Sequence, residues 1–135
     1  MRYLLDTSAL LCLRDDEPGA ARVAAILEGA ATGESECCGC FMTLMEIYYR
    51  VWKDEGRDRG RRAYEDVRRL PLEWIHESPE LLERAAAVKA TRALSLADAW
   101  IAAAASVAGA TLVHKDPEFQ AIRGLKQELL PFNRA

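Results

Sequence analysis

The chain of 135 residues is half hydrophobic and 29 % charged, with a formal net charge of −3. This composition is typical of a soluble globular chain, excludes a disordered one, and does not indicate a nucleic-acid binder from bulk charge. No apolar stretch reaches the ~20 residues of a membrane helix, and Asp6 comes too early for a signal peptide. We therefore expect one cytoplasmic domain, residues 1–135, with no membrane contact.

Short apolar segments alternate with helical patterns along the whole chain. Strands are predicted at residues 2–5, 37–42, 72–76, 110–114 and 127–132. Helices are predicted at residues 7–13, 18–30, 43–55, 58–70, 79–90 and 96–108, with a short one at 116–122. This alternation predicts an α/β fold in which a central, mostly parallel sheet of about four or five strands has helices on both faces.

Two predicted helices begin with capping residues. Ser95 precedes the alanine-rich helix, which Gly109 ends. Thr43, with Glu46 three residues later, matches the S/T-x-x-E capping box, which places the third helix start at Thr43.

The four cysteines are Cys12, Cys37, Cys38 and Cys40. Cys37 and Cys40 form a C-x-x-C pattern, but a zinc site needs a second Cys or His pair, and the two histidines stand apart. We expect these cysteines to be buried as small apolar residues, without a disulfide framework.

Residues 50–69 concentrate positive charge. This stretch holds eight basic and five acidic residues, so it carries +3 while the rest of the chain carries −6. It fits either a solvated helical hairpin with intrahelical ion pairs or an edge that follows RNA phosphates. On the second interpretation, Arg57, Arg61 and Arg62 are candidate RNA contacts.

Three acidic residues follow predicted strands: Asp6, Glu46 and Asp116. Because ligands of an open parallel sheet bind beyond the carboxyl ends of its strands, these acids are candidates for one site. Asp98, at the start of the alanine-rich helix, joins them if that helix begins at the same edge. It shares a helical face with Ile101 and Ala102, where an unpaired carboxylate is costly to bury.

Each acid also has a structural interpretation. Asp6 fits a helix cap, and Asp116 fits a cap before Pro117. Glu46 could complete the capping box or pair with Arg50. Taken together, however, acids gathered at one edge repel each other and raise their pKa values, and a hard divalent cation such as Mg²⁺ or Mn²⁺ removes that conflict. One or two such ions could support phosphodiester hydrolysis by a metal-activated water.

Four segments, in this order, resemble the PIN-domain ribonucleases, and among them most closely the VapC-type toxins of toxin–antitoxin pairs. These segments are LLDTSAL, FMTLMEIYYR, SLADAWIAAAA and TLVHKDPEF. The resemblance extends over essentially the whole chain. It implies a three-layer α/β/α fold and a metal-dependent endoribonuclease.

By the same resemblance, Asp6, Glu46, Asp98 and Asp116 match the family's acidic quartet, which holds Mg²⁺ or Mn²⁺ and positions the attacking water. Ser8 and Thr43 match hydroxyls that lie beside the acids, as supporting residues. The resemblance further implies an RNA substrate, a homodimer and a cognate antitoxin protein whose C-terminal segment reaches the active-site groove.

Two residues near the last acid depart from simple expectation. His114 stands where the family usually has Thr, and we expect it to end the strand rather than bind a carboxylate or phosphate. Glu118 is close enough to Asp116 to assist it, although a surface position on the short helix is favoured.

Two other functions remain open. Phosphoryl transfer through a phosphoaspartate fits poorly, because Ser8 stands where dehalogenase-like phosphatases need a second Asp. A catalytically weak RNA- or protein-binding module is the stronger alternative, but complete retention of four acids argues against it. Tyr48, Tyr49 and Trp52 fit either a dimer interface or the core.

Overall fold

The computed structural model describes residues 1–133 as six α-helices, one 3₁₀ helix and five strands. Strands β1 to β5 span Arg2–Leu5, Glu36–Cys40, Glu73–Ile75, Thr111–His114 and Gln127–Leu129. Helices α1 to α6 span Thr7–Arg14, Ala20–Thr32, Phe41–Glu55, Arg57–Arg68, Pro79–Thr91 and Leu96–Ala108, and the 3₁₀ helix spans Pro117–Ala121. The last two residues of the predicted domain, 134 and 135, lie outside the described residues.

The five strands form one parallel sheet in the order β3-β2-β1-β4-β5. Leu4 of β1 pairs with Cys38 of β2 on one side and with Leu112 of β4 on the other. The chain therefore moves outward from β1 in both directions, and the strand order reverses between β1 and β4. Crevices at such reversal points are the usual ligand sites of open α/β sheets.

Helices cover both faces of the sheet, as expected from the alternating pattern. Consecutive residues of β1 point to opposite faces, so Leu4 packs in the core with α5 and α6, and Leu5 in the core with α1 to α4. Both leucines are completely buried. The predicted three-layer α/β/α architecture is confirmed.

The boundary between β2 and α3 differs from the sequence prediction. The strand ends at Cys40 and the helix begins at Phe41, so Phe41 and Met42 belong to the helix rather than to the strand. Thr43 is the third residue of α3, and the predicted Thr43–Glu46 capping box is wrong. The apolar Phe-Met pair looks like a continued strand in sequence, but in the fold both side chains pack against the core with α6.

The cysteines behave as predicted. All four are buried and free, three of them in β2 and one in α1. Burial raises the pKa of the Cys37 and Cys38 thiols to about 12. They are protonated packing residues, not redox or metal-binding groups.

Helices α3 and α4 form a close hairpin, residues 41–68. A Cβ built on Gly60 of α4 would lie 2.7 Å from the Tyr48 carbonyl oxygen, so only glycine permits this approach. The arginines of residues 50–69 mostly have local partners. Ion pairs join Arg59 to Glu55 (3.4 Å) and Arg61 to Glu65 (2.9 Å).

Across residues 1–133, no helix combines the length and the apolar character needed to span a membrane.

Candidate metal centre

Asp6 lies at the reversal point of the sheet, directly after β1. It is 3 % exposed and is the N-cap of α1, accepting a hydrogen bond from the Ala9 N–H (2.8 Å). Ser8 Oγ lies 2.7 Å from Asp6 Oδ1 and accepts the backbone N–H of Lys115 (2.9 Å). Ser8 therefore joins the end of β1 to the end of β4, and the predicted capping role of Asp6 is confirmed.

Glu46, one turn into α3, is held by the hydroxyl of Thr7. Thr7 Oγ1 donates to Glu46 Oε1 at 2.7 Å and lies 3.1 Å from Thr43 Oγ1. Since the single Thr7 proton goes to the carboxylate, Thr43 donates to Thr7. Thr43 thus acts on Glu46 only through Thr7. Arg50 makes no ion pair with Glu46 within residues 1–133.

Asp98 and Asp116 meet at the same edge. Oxygen atoms of Asp98, Asp116 and Glu118 all lie within 4.8 Å of one another. Helix α6 begins beside the carboxyl ends of the strands, with Ser95 Oγ accepting the Asp98 N–H (3.1 Å). Asp98 is half-buried rather than inside the core, so α6 turns Ile101 and not Asp98 into the packed interior.

Glu118 is a member of this cluster that the sequence analysis favoured as a surface residue. It is exposed, as expected, yet its carboxylate faces Asp98 and Asp116. Asp116 Oδ1 accepts the Glu118 N–H (2.9 Å), so the two acids belong to one tight turn. In the sequence, the signal for the position of Glu118 was the Asp-Pro-Glu spacing, which keeps the second acid within that turn.

The acids influence each other electrostatically. Burial, opposed by hydrogen bonds from Ser8 and Ala9 and reinforced by the charges of Asp98 and Asp116, raises the pKa of Asp6 to about 7. Burial, followed by repulsion from Asp116 and Glu46, raises the pKa of Asp98 to about 6. Both carboxyls are therefore partly protonated near neutral pH unless a cation joins them.

Within the described residues, 1–133, no cationic side chain forms an ion pair with these acids. Among the ion pairs of residues 1–133, none includes Asp6, Glu46, Asp98, Asp116 or Glu118. Lys115 is next to Asp116 in sequence, but its ammonium points away, donating to the Pro18 carbonyl (3.0 Å) and to Asn133. The donor set is purely carboxylate and hydroxyl oxygen, which fits Mg²⁺ or Mn²⁺ and not a softer metal.

His114, the predicted strand end, is indeed the last residue of β4 and is completely buried. Its ring contacts neither a carboxylate nor solvent. Nε2 lies 2.9 Å from Gln127 Oε1, and Nδ1 accepts the Asp116 N–H (3.1 Å). Burial lowers the pKa of the imidazole, so it is neutral.

The three arginines predicted to contact RNA lie on α4, and two of them have local partners. The guanidinium of Arg57 stacks over Trp52 (5.5 Å), and Arg61 pairs with Glu65.

A polar cleft of about 400 Å³ reaches Ser8, the hydrogen-bond partner of Asp6. Ser8 and Lys115 line one part of it, and Arg14 and Arg50 line another. Arg14 is held by Glu55 in a bidentate pair (2.7 and 3.1 Å), whereas Arg50 makes no ion pair among the described residues. From sequence, Arg50 was considered both as a partner for Glu46 and as part of the basic stretch of residues 50–69.

A second, apolar groove of about 500 Å³ runs along the outer face of the α3–α4 hairpin. Met45, Tyr49 and Trp52 in this groove are 47–55 % exposed. The sequence left a dimer interface or the core as possible locations for Tyr48, Tyr49 and Trp52. The core location is wrong for Tyr49 and Trp52. Tyr48 is half-buried and packs against Trp52 and Tyr64.

The comparisons with known proteins agree with this geometry. A family model described as the PIN domain matches residues 3–125. A search among curated proteins finds no significant match.

Among solved structures, a chain of VapBC2 from Rickettsia felis, bound to a DNA fragment from its promoter, superposes with a TM-score of 0.77 and 21 % identity, covering 97 % of this chain and 100 % of that one. A toxin–antitoxin complex from Klebsiella pneumoniae gives 0.64 and 25 % identity, with coverages of 91 % and 94 %. VapC20 from Mycobacterium tuberculosis, a toxin that cleaves the sarcin–ricin loop, gives 0.71 and 17 % identity, with coverages of 96 % and 99 %.

These likenesses extend over nearly the full length of each chain, and the residues that the family model matches include all five acids described above. The chain belongs to the PIN-domain family.

Proposed function

We propose that this PIN domain is a metal-dependent endoribonuclease and the toxin of a toxin–antitoxin pair. The observation that carries the proposal is the set of acids at the sheet reversal point, in which Asp98, Asp116 and Glu118 lie together and Asp6 and Glu46 interact with them electrostatically. Its carboxylates have no cationic partner within residues 1–133, and two of them have raised pKa values. Carboxylates gathered in this way repel one another, and a bound divalent cation would remove that repulsion.

In this proposal Asp6, Glu46, Asp98 and Asp116 hold Mg²⁺ or Mn²⁺, with Glu118 as a further oxygen donor. The bound ion supplies a lowered pKa for water and positive charge for the phosphodiester oxygens. Thr7 holds Glu46 and Ser8 holds Asp6, which fixes the direction of each carboxylate before the ion binds. Thr43 supports the same arrangement through Thr7.

The RNA backbone reaches the acids along the polar cleft. Arg50 lines this cleft without an ion pair in the described chain, so its guanidinium is available for a phosphate. Arg57, Arg61 and Arg62 of α4 are proposed as further RNA contacts. Their effect on RNA binding is smaller, because Arg57 and Arg61 already have local partners.

The proposed protein partners are a cognate antitoxin and a second copy of the chain. Residues 1–135 are proposed to form one domain of a cytoplasmic protein. The antitoxin is supported by the structural neighbours, two of which are toxin–antitoxin complexes. The homodimer is supported by the apolar groove on α3 and α4, since exposed patches of this kind mark interaction sites. Sedimentation should show a dimer that Met45→Glu dissociates and that Leu82→Glu, an equally exposed change on α5, leaves intact.

The test is RNA cleavage by the purified chain, with Mg²⁺, with Mn²⁺ and with a chelator. We expect cleavage only with a divalent ion, and none from Asp98→Asn. Asp66→Asn, on the hairpin, is the matched control and should cleave like the wild type. RNA binding without cleavage of any RNA class in either metal would instead favour the weak binding module.

A further inference from the structure

His114 has no role in the proposed chemistry, yet its imidazole is completely buried at the end of β4. A buried polar ring is costly unless its nitrogens are hydrogen-bonded. Both are bonded here, and every partner belongs either to β5 or to the turn that carries Asp116 and Glu118. The ring therefore connects the sheet to the acid-bearing turn from the inside.

The hydrogen-bond partners determine the tautomer of the ring. The backbone N–H of Asp116 donates to Nδ1 at 3.1 Å, so Nδ1 carries no proton. The ring proton is then on Nε2 and is donated to Gln127 Oε1 at 2.9 Å. A threonine at this position could not reach both partners.

Gln127 extends the connection. Its amide nitrogen donates to the carbonyls of Phe119 (2.8 Å) and Ile122 (3.3 Å), at the middle and just after the end of the 3₁₀ helix. The imidazole also packs edge-on against Phe119, with ring centroids 5.0 Å apart. One ring and one amide thus hold three backbone groups of the same turn.

This turn needs such support, because it carries two carboxylates that face a third on α6. Their mutual repulsion favours moving the turn away when no cation is bound. The carboxylate of Asp116 must stay in place, and the backbone N–H of the same residue is held by His114 Nδ1.

We propose that His114 is a positioning residue, which fixes the turn of Asp116 and Glu118 through its Nδ1 bond to the Asp116 amide. Fixing the turn would preform the site for a divalent ion, and this part of the proposal rests on the proposed function. The competing explanation is that the ring only fills space against Phe119.

Two substitutions separate these explanations. His114→Asn places an amide oxygen near the position of Nδ1 and retains the acceptor for the Asp116 N–H. His114→Gln places an amide nitrogen near Nε2, retaining the bond to Gln127 and leaving the Asp116 N–H unpaired. Both lose the aromatic contact with Phe119, and Asn fills less space than Gln, so a packing role predicts that His114→Asn has at least as large an effect as His114→Gln.

The first measurement is hydrogen exchange of the Asp116 amide by NMR in the metal-free protein. We expect His114→Gln to accelerate exchange at least ~10-fold and His114→Asn to stay near the wild-type rate. The second is Mn²⁺ affinity, which His114→Gln should weaken ~10-fold or more, as loss of groups that orient metal ligands usually does. Thermal unfolding of both variants checks that they fold.

Amide exchange and Mn²⁺ affinity that change at least as much in His114→Asn as in His114→Gln would overturn the proposal and leave His114 as a packing residue. A wild-type protein that binds no Mn²⁺ would overturn the proposed function instead, and the amide comparison would still decide the role of His114.

Discussion

Two regions of this molecule are rich in charge and treat it in opposite ways. On the α3–α4 hairpin, residues 41–68, most arginines have a neighbour within a helical turn: a carboxylate for Arg59 and Arg61, an aromatic ring for Arg57 and Arg68. At the carboxyl edge of the sheet, the acids have hydroxyl and backbone N–H partners, and within residues 1–133 none of them makes an ion pair.

The contrast shows where an external partner is required. Surface pairs of the hairpin kind contribute little and need nothing further. Carboxylates that repel one another at a sheet edge raise the free energy of the folded chain, and a divalent cation reverses that cost. The local positive charge of residues 50–69 points to the arginines as a binding surface. The ion pairs within residues 1–133 point to the acids instead, because none of the pairs includes them.

The largest expected effect separates the two regions by activity. Asp116→Asn should reduce the metal-dependent RNA cleavage rate by roughly 100-fold or more, because it removes a ligand and lowers the charge that attracts the ion. Glu65→Gln, an acid of the hairpin, should change the rate less than ~2-fold. Comparable losses in both variants would show that the two regions do not differ in function.

The second effect is on pH dependence. The folded-state pKa of Asp6, about 7, lies above its ordinary value of 3.8, so the folded chain keeps a proton that the unfolded chain releases between these values. The free energy of unfolding of the metal-free protein should therefore fall as pH rises from 4 to 7, by up to about 4 kcal/mol from this group. Asp98, with its pKa raised to about 6, acts in the same direction.

Urea unfolding in a chelator at pH 5 and pH 8 measures this dependence. Asp6→Asn should flatten it, since the amide does not titrate and still accepts the Ala9 N–H. An identical pH dependence in the variant and the wild type would contradict the assignment.

The third effect concerns the hairpin alone. Gly60→Ala should cost about 1–3 kcal/mol, because the new Cβ would meet the Tyr48 carbonyl and Trp52 at 2.7–2.9 Å. Gly29→Ala is the matched control within α2, where only the Ser35 side chain must move, and its stability should be unchanged or slightly higher. Thermal unfolding measures both, and Mn²⁺ binding should be normal in each.

The smallest effect is that of Arg61→Ala. Its pair with Glu65 is solvent-exposed, with Arg61 66 % and Glu65 39 % exposed, so the stability loss should be no more than ~0.5 kcal/mol. A larger loss in urea unfolding would mean that the hairpin charges contribute to stability as strongly as buried pairs.

Much of this arrangement was predictable from sequence. The alternation of strands and helices predicted the parallel sheet, and because parallel strands end at one edge, it also predicted that Asp6 and Asp116 would lie at that edge. The four predicted acids follow from that rule together with the resemblance. Their roles remain predictions until the metal and the RNA are tested.

The rest depended on contacts between distant parts of the chain. Thr7 meets Glu46 from 39 residues away, and His114 meets Gln127 from 13 residues away, with no local signal for either pair. The helix start at Phe41 was missed because an apolar pair after a strand has the same pattern whether it extends the strand or packs a helix onto the core.

The central claim is that the acids, which have no ion-pair partner within residues 1–133, bind a divalent cation. Calorimetric titration of the chelator-treated protein with Mn²⁺ at pH 7.5 tests it most directly, in the wild type, in Asp98→Asn and in the control Asp66→Asn. We expect saturable binding in the wild type and the control, with release of a fraction of a proton, mainly from Asp6, and at least ~10-fold weaker binding in Asp98→Asn. Absence of saturable binding in the wild type, or unchanged affinity in Asp98→Asn, would contradict the account.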